Sequence, residues 1–165
     1  MGTIGHKVAS LADAFGCKVQ FYSASGNSTC TDYPRVGLDT LLCTSDIVSL
    51  HCPLTDRTRS LIDKHAFEKM KPTAILINVA RGPVVNTQDL YEALTTGKIM
   101  AAGLDVLEKE PMAHNNPLSQ IQDSTKLIIT PHMSWASVES RTRLIAEVAK
   151  NIQAFLDGVD RNVIN

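Results

Sequence analysis

Residues 74–79 read Ala-Ile-Leu-Ile-Asn-Val, and this stretch decides the fold class of the 165-residue chain. It carries no charge, three of its six residues are β-branched, and asparagine is its only polar residue. A strand with one face in water alternates between apolar and polar residues, whereas a strand covered on both faces is apolar throughout. Residues 74–79 therefore predict a buried strand of a parallel sheet.

The segments on either side of this strand alternate between short apolar runs and amphipathic runs. Further strands are predicted at 18–22, 46–52, 101–106 and 127–130. Helices are predicted at about 6–15, 38–43, 63–70, 89–96 and 137–156, with caps at Asp63, Thr87 and Ser137. Strands that alternate with helices predict an α/β domain with a doubly wound parallel sheet and helices on both faces.

Composition excludes several classes of protein. A chain with 44% hydrophobic residues and a net charge of −1 is a globular domain rather than a disordered segment. Acidic and basic residues are evenly balanced, and no apolar run approaches the roughly 20 residues that span a bilayer. The four cysteines form no C-x-x-C pair, which predicts reduced thiols and no metal site. We expect a cytoplasmic protein that binds neither nucleic acid nor membranes.

Three residues with catalytic potential follow predicted strands. Arg81 follows 74–79, Glu110 follows 101–106, and His132 follows 127–130. Each has an ordinary structural explanation when taken alone, and spacing does not separate Glu110 from Glu108. In a parallel sheet, however, ligands bind beyond the carboxyl ends of the strands. Together the three predict a site in which arginine grips an anionic substrate, histidine moves a proton, and a carboxylate raises the histidine pKa.

The N-terminus carries a possible nucleotide-binding motif. Gly2-Thr3-Ile4-Gly5 opens the first predicted helix and matches the last two glycines of G-x-G-x-x-G. The free amides and dipole of a helix N-terminus favour a pyrophosphate. A plain turn before a helix explains G-x-x-G equally well, because the first glycine of the motif and the strand before it do not occur in this sequence.

Five motifs together resemble the D-isomer-specific 2-hydroxyacid dehydrogenase family, over nearly the whole chain. They are GTIG (2–5), HCPLT (51–55), NVARGPVVN (78–86), GLDVLEKEP (103–111) and TPHMSWAS (130–137). Their order, spacing and positions at strand ends all agree with the family. The Trp135-Ala136 pair resembles the glycerate dehydrogenase (hydroxypyruvate reductase) branch.

The resemblance implies a hydride transfer between a nicotinamide cofactor and a D-2-hydroxy acid or 2-keto acid, such as glycerate and hydroxypyruvate, or glyoxylate. Arg81 would bind the substrate, and His132 would be the general acid in reduction with Glu110 as its partner. The residues that the resemblance assigns to the cofactor are Gly2, Thr3, Ile4, Gly5, Ser23, Cys52, Pro53, Thr55, Val79, Ala80, Arg81, Asp105 and His132.

The cofactor is expected to be NAD, with NADP left open. The acid that usually selects NAD, about twenty residues past the glycines, is replaced by Ser23. Serine cannot repel a 2′-phosphate as an acid would. Residues 23–31, however, contain no arginine or lysine to attract one.

Family members are longer and begin with a substrate domain, so we expect an N-terminally truncated chain that starts inside the glycine motif. Residues 1–136 would be a Rossmann-like dinucleotide-binding domain lacking its first strand. Residues 137–165 would be a helix and tail that pack back toward the substrate domain, and the full-length form would be a homodimer.

Two alternatives to an enzyme stay open at this point. The family includes transcriptional corepressors with the same Arg, Glu and His, so the chain could be an NADH-sensing interaction module. The second alternative is an inactive fragment, because the loss of a central strand leaves a hydrophobic slot and unpaired edges.

Overall fold

Four parallel strands form one sheet in the computed structural model, which describes residues 1–164. The strands are β1 (Ile47–Leu50), β2 (Ile75–Asn78), β3 (Ala101–Leu104) and β4 (Leu127–Ile129), and they neighbour one another in that order. Ile47 pairs with Ile75, and Ile75 pairs with Ala101. The α/β class with a parallel sheet is therefore confirmed, and all four strands end at the same edge.

Residues 1–164 also contain five α-helices. They are α1 (Thr3–Ala14), α2 (Leu38–Thr44), α3 (Lys64–Lys69), α4 (Thr87–Thr95) and α5 (Val138–Leu156). Asp63 caps α3 by accepting a hydrogen bond from the amide of Ala66, and Ser137 caps α5 by accepting one from Ser140. Gly16 and Gly97 follow α1 and α4 with φ of +83° and +72°, a conformation that suits glycine.

The core of the Met1–Pro131 unit is the apolar side of the sheet and the helices that pack with it. Its most completely buried side chains come from α2, α3, α4, β2 and the segments just before α3 and β3: Leu42, Ile62, Phe67, Leu76, Leu90, Leu94 and Ile99. On β2, Leu76 and Asn78 are fully buried whereas Ile75 and Ile77 are half-buried. The second face of the sheet is thus only partly covered by residues 1–164.

Two elements differ from the sequence prediction. No strand forms at 18–22, because a strand requires successive paired residues and only Phe21 pairs, through a single bridge to Arg35. Helix α4 is capped by Asn86 rather than by Thr87. The Asn86 side chain accepts a hydrogen bond from the amide of Asp89 at 3.0 Å, which begins the helix earlier than predicted.

Helix α5 belongs to the second compact unit, His132–Asn165, and is 19 residues long. None of its residues is buried, and its large apolar side chains are exposed, from Val148 at 48% to Phe155 at 83%. Among the helices of residues 1–164, none has the length and apolar character needed to cross a membrane.

Candidate active site

The turn that carries Arg81 is fixed by hydrogen bonds to a buried asparagine. Asn78 ends β2 with no exposed surface, its Nδ2 donates to the carbonyl oxygen of Arg81 at 3.0 Å, and its Oδ1 accepts from the amide of Ala80 at 3.0 Å. A buried amide with both ends bonded fixes the backbone around it. The Arg81 side chain itself is exposed, and its guanidinium donates to the carbonyl of Ala80 at 2.7 Å.

Gly82 brings this turn into backbone contact with the loop that follows β3. A Cβ placed on Gly82 would lie 1.9 Å from both the carbonyl carbon and the carbonyl oxygen of Leu107, and 2.4 Å from the amide nitrogen of Glu108. No side chain larger than hydrogen fits in that space. The absence of a side chain at residue 82 therefore lets the Arg81 turn lie directly against the segment that leads to Glu110.

The two glutamates of this segment have different partners. Glu110 accepts a hydrogen bond from the amide of Leu107 at 2.8 Å, whereas Glu108 accepts one from the hydroxyl of Thr87 at 3.1 Å. Glu110 thus folds back on its own loop, and Glu108 is tied to the start of α4. The structure thus gives Glu108 and Glu110 different hydrogen-bond partners, whereas their spacing in the sequence did not distinguish them.

Asp105 is a buried carboxylate just beyond the end of β3, with 4% of its surface exposed. Its Oδ1 accepts a hydrogen bond from the Thr130 hydroxyl at 2.5 Å, and its amide donates to the carbonyl of Asn78 at 2.9 Å. A buried charge requires such partners. These bonds connect the ends of β2, β3 and β4.

His132 is the first residue of the His132–Asn165 unit. Its φ of +51° lies in the left-handed region, which is uncommon for a residue other than glycine. The indole nitrogen of Trp135 donates to its carbonyl oxygen at 2.8 Å and closes a short turn. His132 thus lies on a turn that begins this unit, and the residue is exposed.

The start of α1 suits a pyrophosphate. Gly2 precedes the helix in an extended conformation without a side-chain cap, and a Cβ added there would meet nothing within 4 Å. The amides of Thr3, Ile4 and Gly5 have no acceptor within residues 1–164. Unpaired amides beside open space are the donors that a bound phosphate uses. These residues fit a dinucleotide.

The loop after β1 is shaped by Thr58, a buried threonine that the sequence analysis missed. Its hydroxyl donates to the carbonyl of Pro53 at 2.6 Å and accepts from the amide of Thr55 at 2.7 Å. In the same loop, burial raises the pKa of the Cys52 thiol above its ordinary value of 9.0. Because the thiolate is the nucleophilic form, Cys52 is suited to line a site and not to attack a substrate.

The remaining cofactor candidates lie in two places. Val79 is half-buried and Ala80 is buried, both on the Arg81 turn. Ser23 begins a separate turn, in which the amide of Gly26 donates to its carbonyl at 3.1 Å. The fixed turn at Asn78 could have been suspected from a polar residue inside an apolar strand, whereas nothing in the sequence marks Thr58.

One cluster of possible metal ligands was not expected from cysteine spacing. Within residues 1–164, ligand atoms of His6, Cys30 and Asp32 lie within 4.8 Å of one another. The His6 ring and the Asp32 carboxylate are 2.7 Å apart, as in an ordinary hydrogen bond. That pair accounts for the contact between these two side chains without a metal.

His51, which follows β1, is expected to make the stability of this domain pH-dependent. Its Nε2 lies 2.9 Å from the Ser49 hydroxyl, and burial lowers its pKa below the ordinary value of 6.5. As the pH falls, the unfolded chain takes up this proton first, so stability is lost from about pH 7 downward until the folded-state pKa is passed. The change His51→Gln is expected to flatten the dependence of the urea midpoint on pH between about pH 7 and pH 5. An unchanged slope in the variant would contradict this assignment.

Comparison with known proteins identifies the family of this chain. Residues 1–134 match the family model for the NAD-binding domain of D-isomer-specific 2-hydroxyacid dehydrogenases. The chain is 43% identical to a hydroxypyruvate reductase of Blautia hydrogenotrophica, covering 99% of this chain and 51% of that protein. It is 39% identical to a glycerate dehydrogenase of Methylorubrum extorquens, covering 99% and 50%.

A solved structure gives the same result for the fold. The D-lactate dehydrogenase of Aquifex aeolicus, complexed with NAD and lactic acid, superimposes with a TM-score of 0.87 at 34% identity, covering 95% of this chain and 51% of that one. The chain spans about half the length of the curated relatives it matches. It belongs to the D-isomer-specific 2-hydroxyacid dehydrogenase family, and residues 1–134 are its NAD-binding domain.

Proposed function

We propose that the protein containing this chain reduces a short 2-keto acid, hydroxypyruvate or glyoxylate, to the D-2-hydroxy acid with a nicotinamide cofactor. The observation that carries the proposal is the Arg81 turn. Asn78, at the end of β2, fixes the backbone of this turn by two hydrogen bonds, and Gly82 lets the turn contact the loop that leads to Glu110. The Arg81 guanidinium stays exposed. An exposed arginine on a rigid turn at the carboxyl edge of a parallel sheet is suited to bind a small carboxylate.

We assign Arg81 to bind the carboxylate and the carbonyl group of the substrate. A guanidinium can donate two parallel hydrogen bonds to a carboxylate, which orients the substrate as well as binding it. A positive charge beside the carbonyl also stabilises the negative charge that develops on its oxygen during reduction.

His132 is assigned the proton that completes the alcohol, and Glu110 is assigned as its carboxylate partner. A neighbouring carboxylate favours the imidazolium form and so keeps a proton available near neutral pH. The cofactor, when bound, supplies the hydride. Asp105, Val79 and Ala80 are assigned to hold the nicotinamide side, and Gly2 to Gly5 to hold the pyrophosphate.

The C-terminal segment and the assembly complete the proposal. Residues 1–136 are assigned to the dinucleotide domain, and residues 137–165 to a helix and tail that pack toward a substrate domain. The exposed apolar side chains of α5 support this, because a stripe of this kind stabilises a protein only when it is covered. We assign a homodimeric, cytoplasmic enzyme.

The test is oxidation of NADH or NADPH by the full-length natural protein when hydroxypyruvate, glyoxylate or pyruvate is added. Reduction of hydroxypyruvate or glyoxylate to the D-isomer, identified by chiral chromatography, is the expected result. Binding of the dinucleotide without turnover of any of the three acids would overturn the proposal and favour an interaction module.

A further inference from the structure

The turn at Ser23–Gly26 occupies the position where dinucleotide-binding domains distinguish NAD from NADP. In that fold an acid after the second strand accepts hydrogen bonds from the adenosine ribose, and it repels a 2′-phosphate. Here the hydroxyl oxygens of Ser23 and Ser25 lie 3.4 Å apart at this turn, and Ser25 also accepts from the amide of Asn27 at 3.3 Å. Hydroxyls can donate to a phosphate oxygen, which a carboxylate cannot do.

The chain segment that contains this turn carries no acid. No aspartate or glutamate occurs between Asp13 and Asp32. Asp32, the nearer of the two to the turn in sequence, is hydrogen-bonded to His6 at 2.7 Å. A phosphate dianion at the turn would therefore meet no local carboxylate repulsion from residues 14–31.

The structure brings a cation to the turn from outside it. Arg35 is paired with Phe21 through the single bridge between their segments, and this pairing returns the chain to the turn. The Nη1 atom of Arg35 donates to the carbonyl of Gly26 at 3.0 Å, and Nη2 lies 3.9 Å from the Cβ position of Gly26. Arg35 is exposed, and within residues 1–164 no carboxylate forms an ion pair with it.

From these contacts we infer that Arg35, with the hydroxyls of Ser23 and Ser25, forms a subsite for the 2′-phosphate of NADP(H). The inference rests on the dinucleotide binding of the proposed function and adds a cofactor preference to it. One guanidinium edge anchors the turn through Gly26, and the remaining N–H groups are available to a phosphate, which Arg binds well because its donors match phosphate geometry. The domain is expected to bind NADPH at least as tightly as NADH.

The experiment compares two variants that each remove one positive charge. Arg35→Gln removes the proposed phosphate ligand, and Lys98→Gln removes an exposed charge just before β3, at the opposite edge of the sheet. Dissociation constants for NADPH and NADH are measured by calorimetry on the full-length natural protein. They are also measured for 2′,5′-ADP and 5′-AMP, which differ only by the 2′-phosphate.

Arg35→Gln is expected to weaken the binding of NADPH and 2′,5′-ADP by about tenfold or more and to change the dissociation constants of NADH and 5′-AMP by less than about twofold. Lys98→Gln is expected to change the dissociation constants of all four ligands by less than about twofold. Wild-type protein that binds NADH more tightly than NADPH overturns the inference but not the proposed function. Equal weakening of NADPH and NADH by Arg35→Gln also overturns it. Binding of neither dinucleotide overturns both.

Discussion

Replacing His132 with glutamine is expected to lower kcat for 2-keto acid reduction by about a hundred- to ten-thousand-fold, the usual contribution of a positioned general acid. Glutamine keeps a polar side chain that can hydrogen-bond to the carbonyl, but it cannot deliver a proton to the oxygen. Because the proton is needed only as the alcohol forms, kcat is expected to fall by far more than NADH binding weakens. The measurement is the loss of NADH absorbance at saturating substrate, with the dissociation constant of NADH measured alongside it.

The matched control is His65→Gln on α3, where the imidazole is 81% exposed and lies near Glu68 at 3.7 Å. It removes a histidine from the surface of the same protein and is expected to leave kcat within about twofold. If His132→Gln retains more than about a fifth of wild-type kcat, the assignment of the general acid is wrong.

Gly82→Ala is expected to have the largest effect on stability. Its Cβ would overlap the Leu107 carbonyl, with atoms 1.9 Å apart, and both partners are backbone rather than a flexible side chain. The turn and the loop after β3 must then separate, which also opens the packing around buried Val84. A cost of about 3 kcal/mol or more is expected, or a decrease of about 10 °C in Tm.

Gly37→Ala is the control for the loss of a glycine. Gly37 precedes α2 with φ of −67°, and a Cβ there meets nothing within 4 Å. Thermal unfolding of both variants, followed by circular dichroism, compares a crowded with an open glycine. A Tm for Gly82→Ala within about 3 °C of the Gly37→Ala value would show that the two loops separate without cost.

The fold was predictable wherever the signal was local. The apolar composition of residues 74–79 and 101–106 predicted buried strands. Asp63 and Ser137 predicted helix starts, because capping depends on residues three positions apart. The prediction of a strand at 18–22 was wrong because strand formation depends on a distant partner, and within this segment only Phe21 pairs with one. Thr87 was wrong as a cap because its neighbour Asn86 competes for the same amide.

The site followed the same rule. Arg81, Glu110 and His132 were candidates because each of them follows a strand predicted from the sequence. Their roles are proposals, and the backbone contact of Gly82 with Leu107 joins segments that are distant in the sequence. The same holds for Arg35, which comes after residues 23–31 in the sequence and reaches the turn only through its pairing with Phe21.

The register of the sheet has a consequence for how this chain folds. Ile47 pairs with Ile75, Ile75 with Ala101, and Ala102 with Leu127, so no strand meets its neighbour within about 25 residues of chain. Closing each such loop costs about 3 kcal/mol of chain entropy before any pairing energy is recovered. Folding is therefore expected to take milliseconds to seconds rather than microseconds, with the helices forming before the first strand pair.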